Sequence, residues 1–488
     1  MRSWITIGVL LKKMTIIVAE LGVIREISVT FAASNQKAWL MIKFCVRLVQ
    51  RWLPEPFIFA ILLTFVAAVV AMPLCSQTPL EVVENWGDGV WNLLAFAMQM
   101  ALVLVCGSTL AAAPVVKRAI DAMARVPQSA PAAIALVTVV SALACWLNWG
   151  FGLIVGVVLA KAIARQRRDV DYRLLIASAY SGFVVWHAGI SGSIPLTMAT
   201  PGESLALATN GALTDPVPLA QTILDWHNLV TVLLVIVGIT VANTLMHPKQ
   251  GILTIDPALL ADNDNSAAAA SSSTTTPAQR LEHSRLLSWL VALMLVAYLV
   301  IHLVVRGAGL DLGGVIMIFL ALGLVLHSTP VDYVRAFGKA TTGAAGIILQ
   351  FPFYAGIMGI VTGIGASGIS LGGVMAEACI SISNPVTYPL LTFVCAAVLN
   401  LFVPSGGGHW AVQAPVMFTA GANLGVEPGL TGMAIAWGDA WTNLIQPFWA
   451  LPALAIARLD AKDIMGYCLI DLLITGVIIC AGLLVWAM

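Results

Sequence analysis

The sequence predicts an all-α polytopic membrane protein with about ten transmembrane helices, arranged as inverted-topology repeats that each contain a re-entrant helical hairpin and an interrupted helix. Three observations predict it. Of 488 residues, 60% are hydrophobic and only 10% charged, whereas a soluble domain carries about 25% charged residues. Apolar runs near the roughly 20 residues needed to cross a bilayer recur along most of the chain. The two halves also match each other at one fixed offset.

The balance of charge excludes other classes. Twenty-four basic and twenty-four acidic residues cancel, so neither a basic nucleic-acid binder nor an acidic disordered chain fits. Eight cysteines are scattered, mostly in apolar runs and without a CxxC pair. That is the usage of a small hydrophobe, with no disulfide framework and no structural metal site indicated.

Residues 1–34 mix apolar residues with Lys12, Lys13, Glu20, Arg25 and Glu26, and no small-residue cleavage site follows a clean apolar core. Residues 1–40 are thus either an extension with a peripheral helix or sequence upstream of a start at Met41. Lys43, Arg47 and Arg51 precede a first span at 54–74. Further spans are expected near 90–112, 174–198, 230–245, 286–305, 313–327, 344–364, 433–455 and 469–488. Residues 248–284 are hydrophilic, and 265–277 hold an Ala/Ser/Thr run that cannot bury a core. This segment reads as a flexible cytoplasmic linker between a first repeat, 41–247, and a second, 285–488.

Asn148 matches Asn400, since 400 − 148 = 252; Pro195 matches Pro447 and Gly107 matches Gly359 at the same offset. Three agreements in register over about 90 residues point to duplication. Basic residues supply the orientation. Lys117, Arg118 and Arg125 precede the Asn148 segment, and Lys161, Arg165, Arg167, Arg168 and Arg173 follow it. Both flanks are therefore expected in the cytoplasm. From Ala340 to Ala457 there is no Lys or Arg, so the matching segments are expected to face opposite sides. Residues 128–160 then read as a hairpin that begins and ends on one side, its tip at Asn148-Trp-Gly-Phe-Gly152. Its partner, 384–412, carries Pro404-Ser-Gly-Gly-Gly-His-Trp410 near the tip. The alternative is two full spans joined by a tight turn.

Two hairpin tips and two interrupted spans, at 189–195 and 438–447, give four breaks where backbone N–H groups or carbonyls are freed near the midplane. Helix N-termini suit an anion, and unwound carbonyls suit a small cation. Ser405, Gly406, Gly407, Gly408 and His409 are the candidate substrate-binding residues, with Ser191 and Ser193 at the first interrupted span. Asn148, Gly150, Asn400, Asp439, Thr442 and Asn443 are the candidate ion-coupling residues. Asp439 stands out, because an ionised carboxylate inside a span costs about 2.5–3.5 kcal/mol. His187 occupies the equivalent position in the first half. Asn148 and Asn400 serve either an ion or a helix cap. Trp146, Trp149, Trp186, Trp410 and Trp441 serve either as packing or as an apolar wall for an acyl chain.

The run Leu399-Asn-Leu-Phe-Val-Pro-Ser-Gly-Gly-Gly-His-Trp-Ala-Val-Gln-Ala-Pro415, with Arg51-Trp-Leu-Pro-Glu-Pro56 and Trp149-Gly-Phe-Gly152, resembles the bacterial short-chain fatty acid transporter family. The resemblance spans residues 41–488 apart from the linker. It implies cation-coupled uptake of acetoacetate, butyrate and related monocarboxylates across the bacterial inner membrane, by a multi-pass protein in contact with lipid. That family is similar to the wider ion-transporter superfamily, which implies a homodimer with a scaffold domain and a transport domain holding two opposed hairpins. Superfamily tips often carry Ser-Asn-Thr. Here they read Asn148-Trp-Gly and Pro404-Ser-Gly-Gly, which leaves the coupling cation open between sodium and a proton. No cofactor, nucleic acid or catalytic activity is implied. Two other classes compete: an intramembrane serine protease using Ser191 or Ser367, each in a Gly-x-Ser-Gly match, and a cation/proton exchanger resting on Asp439.

Overall fold

The computed structural model describes residue 51 and residues 56–91, 94–200, 205–206, 209, 211–248, 251–254, 276–307, 312–404 and 406–488. The expected extension at 1–40 and most of the linker lie outside the described residues. What is described is almost wholly helical, with one isolated bridge between Ile364 and Ser370.

The first half opens with α1 (Pro56–Cys75), whose apolar residues run all round the helix. A short helix, α2 (Pro79–Gly89), follows, started by a capping box in which Thr78 and Glu81 satisfy each other's backbone N–H. Sequence reading passed over α2, because its Glu and Asp residues break the apolar signal. Next come α3 (Leu94–Ala112) and α4 (Pro114–Ala124), bent by 79° at the proline that starts α4. The first hairpin is α5 (Ala130–Leu147) and α6 (Trp149–Gln166). Beyond it α7 (Tyr172–Ser181) tightens into a 3₁₀ segment, Gly182–Ala188, before α8 (Ser193–Ala199). A full-length helix, α9 (Trp226–Leu245), closes the half.

After α10 (Pro277–Glu282), α11 (Arg285–Val300) runs on through a π turn, Ile301–Val305. The earlier order then recurs: α12 (Leu312–Leu326), a short α13 (Pro330–Thr341), α14 (Ala345–Thr362) and α15 (Leu371–Ile380). A second hairpin follows, α16 (Tyr388–Asn400) and α17 (Gly406–Asn423). The second interrupted helix is α18 (Pro428–Thr442), a 3₁₀ turn Asn443–Ile445 and α19 (Pro447–Ala457), and α20 (Ala461–Trp486) ends the chain. The interruption begins at Asn443, five residues later than the sequence suggested. Asp439 therefore sits in the last turn of α18 rather than in unwound chain.

Among the described residues eight helices are long and apolar enough to cross a membrane, nine if the bent pair counts as one span. Three shorter apolar helices, including α16 and α19, would raise the count to eleven or twelve, against the expected ten or so. Phe65 and Val69 of α1 and Met294 and Val304 of α11 are exposed, as expected of side chains facing lipid.

Small residues permit a close crossing between α2 and α14. A Cβ at Gly89 would come within 2.9 Å of Gly359 Cα and 2.7 Å of Ala355 O. Across the same face Gln77 Nε2 donates to Gly363 O at 2.7 Å. Gly359→Val is expected to lower stability by about 1–3 kcal/mol, the usual cost of overpacking, read as earlier thermal unfolding of the purified protein. Gly87→Ala, where a Cβ meets open space, should unfold like the parent.

Candidate functional site

Both hairpin tips end against the interrupted helix of their own half. Asn148 is extended and serves as the C-cap of α5 and the N-cap of α6, its Oδ1 accepting from Phe151 N at 3.1 Å. Gly152 lets the two arms touch, since a Cβ there would overlap Cys145. The tip is held to the first break by Ile190 N donating to Trp146 O at 2.8 Å and Trp149 N donating to Ser191 Oγ at 3.0 Å. Gly150 is buried against Val103. Asn148, Gly150 and Ser191 thus belong to the packing of the first tip.

The second tip is polar. Asn400 Nδ2, with two hydrogens to give, lies 2.8 Å from Asp439 O, 3.0 Å from Thr442 Oγ1 and 2.6 Å from Asn443 Oδ1. Gln446 Nε2 donates to Leu401 O at 3.0 Å. Asn400 Oδ1 and Asn443 Nδ2 stay buried without a partner. Four of the predicted ion-coupling residues, Asn400, Asp439, Thr442 and Asn443, are therefore one cluster. Asn400→Ala would strand several of these groups and is expected to cost about 1–3 kcal/mol, measured by thermal unfolding.

At the centre one run of side chains joins the two halves. His187 Nδ1 lies 2.7 Å from Asp439 Oδ2, and His409 Nδ1 lies 3.1 Å from Asp439 Oδ1. All three side chains are buried. Proton positions follow from the bonding pattern. Ile194 N donates to His187 Nε2 at 3.1 Å, so that nitrogen carries a lone pair and Nδ1 carries the proton given to Asp439. Ser193 Oγ lies 3.0 Å from the same Nε2. On the other side Gln413 Nε2 donates to Thr392 O at 3.4 Å, which turns Oε1 toward His409 Nε2 at 2.6 Å. That nitrogen must donate. One proton is then left for the gap between His409 Nδ1 and Asp439, as an imidazolium facing a carboxylate or as a carboxyl facing a bare nitrogen.

The same place is a helix N-terminus. Gly406 begins α17 and packs on Ser193, where a Cβ would overlap Ser193 Oγ and come within 3.0 Å of His187 Cε1. Gly407 is exposed, and a Cβ there meets nothing within 4 Å. Gly408 lies in the same first turn, and Ser405 falls outside the described residues. The first turn of α17, where a helix leaves its backbone N–H groups without intrahelical partners, thus lies one step from the His–Asp–His run.

Aromatic rings fill the other side. Trp149, Phe183, Trp186 and Trp449 pack on one another, with the Trp149–Trp449 centroids 5.4 Å apart. Trp441 instead donates to Leu472 O at 2.7 Å and closes over Gly476. Sequence reading missed Trp449 and Gln413; the i, i+4 spacing of His409 and Gln413 was the available signal. Neither Ser191 nor Ser367 hydrogen-bonds a histidine among the described residues, for Ser367 Oγ donates to Cys75 O at 2.8 Å.

A cavity of about 1510 Å³ opens between α4, α6, α13 and α19, lined by six basic and three acidic side chains. Lys161, Arg165, Lys339 and Arg458 are among them, so the basic ends of both halves share one face.

Residues 39–486 match the family described as "Short chain fatty acid transporter". A "Putative short-chain fatty acid transporter" of Escherichia coli (strain K12) is 42% identical over 442 residues, 90% of this chain and 98% of the relative. A protein of the same description from Haemophilus influenzae is 40% identical over 444 residues, with the same coverage. Among solved structures, the Alcanivorax borkumensis YdaH transporter, whose report describes an unusual topology, aligns over 89% of this chain and 98% of its own, at 19% identity and a TM-score of 0.46. The chain belongs to the short-chain fatty acid transporter family.

Proposed function

We propose that this protein is a secondary active transporter of short-chain monocarboxylates such as acetoacetate and butyrate. It works by alternating access across the bacterial inner membrane and is coupled to a cation. The observation that carries the reading is the buried run from Ser193 through His187, Asp439 and His409 to Gln413, set beside the N-terminus of α17. The substrate carboxylate binds at the first turn of α17, with the amides of Gly406–Gly408 as donors and the partial positive charge of the helix end in support. The acyl chain faces the aromatic wall. The proton between His409 and Asp439 is the coupling ion, and losing it would leave a buried carboxylate with His187 alone.

The recurring element order supports a duplication, and the shared basic face supports its inversion, since cytoplasmic ends gather Lys and Arg. That vestibule also concentrates anions. The linker is cytoplasmic, and the protein acts as a homodimer. A sodium ion is the other coupling candidate, with Asn400 Oδ1 as a buried oxygen without a hydrogen-bond partner. Ser193–His187–Asp439 has the order of a hydrolase triad. However, His187 Nε2 already receives the Ile194 amide and Gly406 closes over Ser193, which disfavours nucleophilic attack there.

Uptake of labelled butyrate and acetoacetate into proteoliposomes, under imposed proton or sodium gradients, tests the reading. Saturable, gradient-dependent uptake is expected. No saturable uptake under any gradient overturns it.

A further inference from the structure

Asp471 lies inside α20 and is fully buried. Neither of its carboxylate oxygens has a hydrogen-bond partner, and neither does Asn243 Oδ1 on α9. Ser181, at the end of α7, and Asn243 are the polar side chains beside the carboxyl. Their donors are committed elsewhere: Asn243 Nδ2 donates to Ser181 Oγ at 2.9 Å, and Ser181 Oγ donates to Ser178 O at 3.1 Å. Thr138 of α5, which Asn243 reaches at 3.5 Å, donates to Ile134 O at 2.9 Å. As the amide is placed, three buried acceptors share one place with no donor turned to them. Turning the Asn243 amide would bring its N–H groups to the carboxyl and leave its oxygen to the two hydroxyls, which still gives the carboxyl no cation.

No Lys, Arg or His pairs with Asp471 among the described residues. On its own helix Cys468 faces it one turn earlier, and Asp463 is taken by Arg173 at 3.1 Å. The helices packed around it add Cys145 on α5 and Tyr180 on α7. On α9 the histidine is His227, near the far end and paired with Asp225 at 2.8 Å; on α18 the acid is Asp439, held by its two histidines. An ionised carboxylate has no cation here to balance its charge, and a bound proton removes that charge. Packing alone would be served by an apolar residue, so an intramembrane acid of this kind marks a site.

We propose that Asp471, with Asn243 and Ser181, is a second proton-binding site, separate from the Asp439 run. The carboxyl holds a proton in the state described here. Its O–H bond breaks when the helices around it open, and the proton passes to water on that side. This rests on the transporter reading above, but the two fail separately.

The test combines infrared difference spectra of the reconstituted protein with transport. At neutral pH a protonated carboxyl C=O band is expected that Asp471→Asn removes and Asp471→Glu shifts. Asp471→Asn should retain exchange of labelled butyrate at equal pH but lose about 10-fold or more of the accumulation driven by an inside-alkaline gradient. A spectrum unchanged by Asp471→Asn, or undiminished accumulation by that variant, overturns the proposal. A wild-type protein that exchanges no short-chain acid overturns the transporter reading instead, while the infrared band still decides the state of Asp471.

Discussion

Asp439→Asn is expected to abolish accumulation of short-chain acids against a gradient, by about 100-fold or more, the upper range of a coupling energy, while the protein stays folded. The asparagine oxygen still accepts from His187 Nδ1, and its amide donates to His409 Nδ1, the ring now neutral. Every hydrogen bond of the run is kept, and the capacity to hold one proton is lost. Asp439→Ala has a different outcome. Both Nδ1 atoms then face a void in a fully buried place, and removing one partner of a buried pair costs about 3–5 kcal/mol. Thermal unfolding and uptake, measured on both variants, separate the roles: Asn should fail only in coupling, and Ala in stability as well. Equal stability of the two variants would mean that the run does not hold the halves together.

The second large effect divides two neighbouring glycines. Gly406→Ala drives a methyl into Ser193 Oγ and against His187, so it is expected to cost about 1–3 kcal/mol through overpacking and to disturb the run directly. Gly407→Ala meets nothing within 4 Å in the protein itself. Its methyl obstructs only what approaches from outside. Stability should therefore match the parent, while the apparent KM for butyrate rises by about 10-fold, on the order of one lost backbone hydrogen bond to a charged group. Measuring KM and unfolding on both variants checks this. An unaltered KM for Gly407→Ala would move the carboxylate away from the first turn of α17.

Much of this arrangement was legible in the residues. Apolar runs marked most of the long helices, and an offset of 252 paired His187 with Asp439 before any geometry was known; the two are in contact across that same separation. The glycine run before His409 marked the start of α17 because glycines beside a proline break a helix. Other features were not legible. Which nitrogen of His409 donates depends on Gln413, and Gln413 was one more polar residue on an uncharged helix until its partners were placed. Asp471 was passed over because its neighbours Ser181 and Asn243 come from distant segments. The role of Asn148 was open between ion and cap, and the backbone of Phe151 decides its hydrogen bond. The short helices α2, α4 and α13 were missed because their charges hide an apolar face.

As proposed, a proton between His409 and Asp439 moves with each carboxylate. Its most direct test is acetoacetate accumulation in sodium-free proteoliposomes under an inside-alkaline gradient, with internal pH followed at the same time and protein-free liposomes correcting for acid that crosses the lipid unaided. Protein-dependent accumulation with matching internal acidification is expected, both lost in Asp439→Asn. Accumulation that requires sodium and ignores the pH gradient would contradict it.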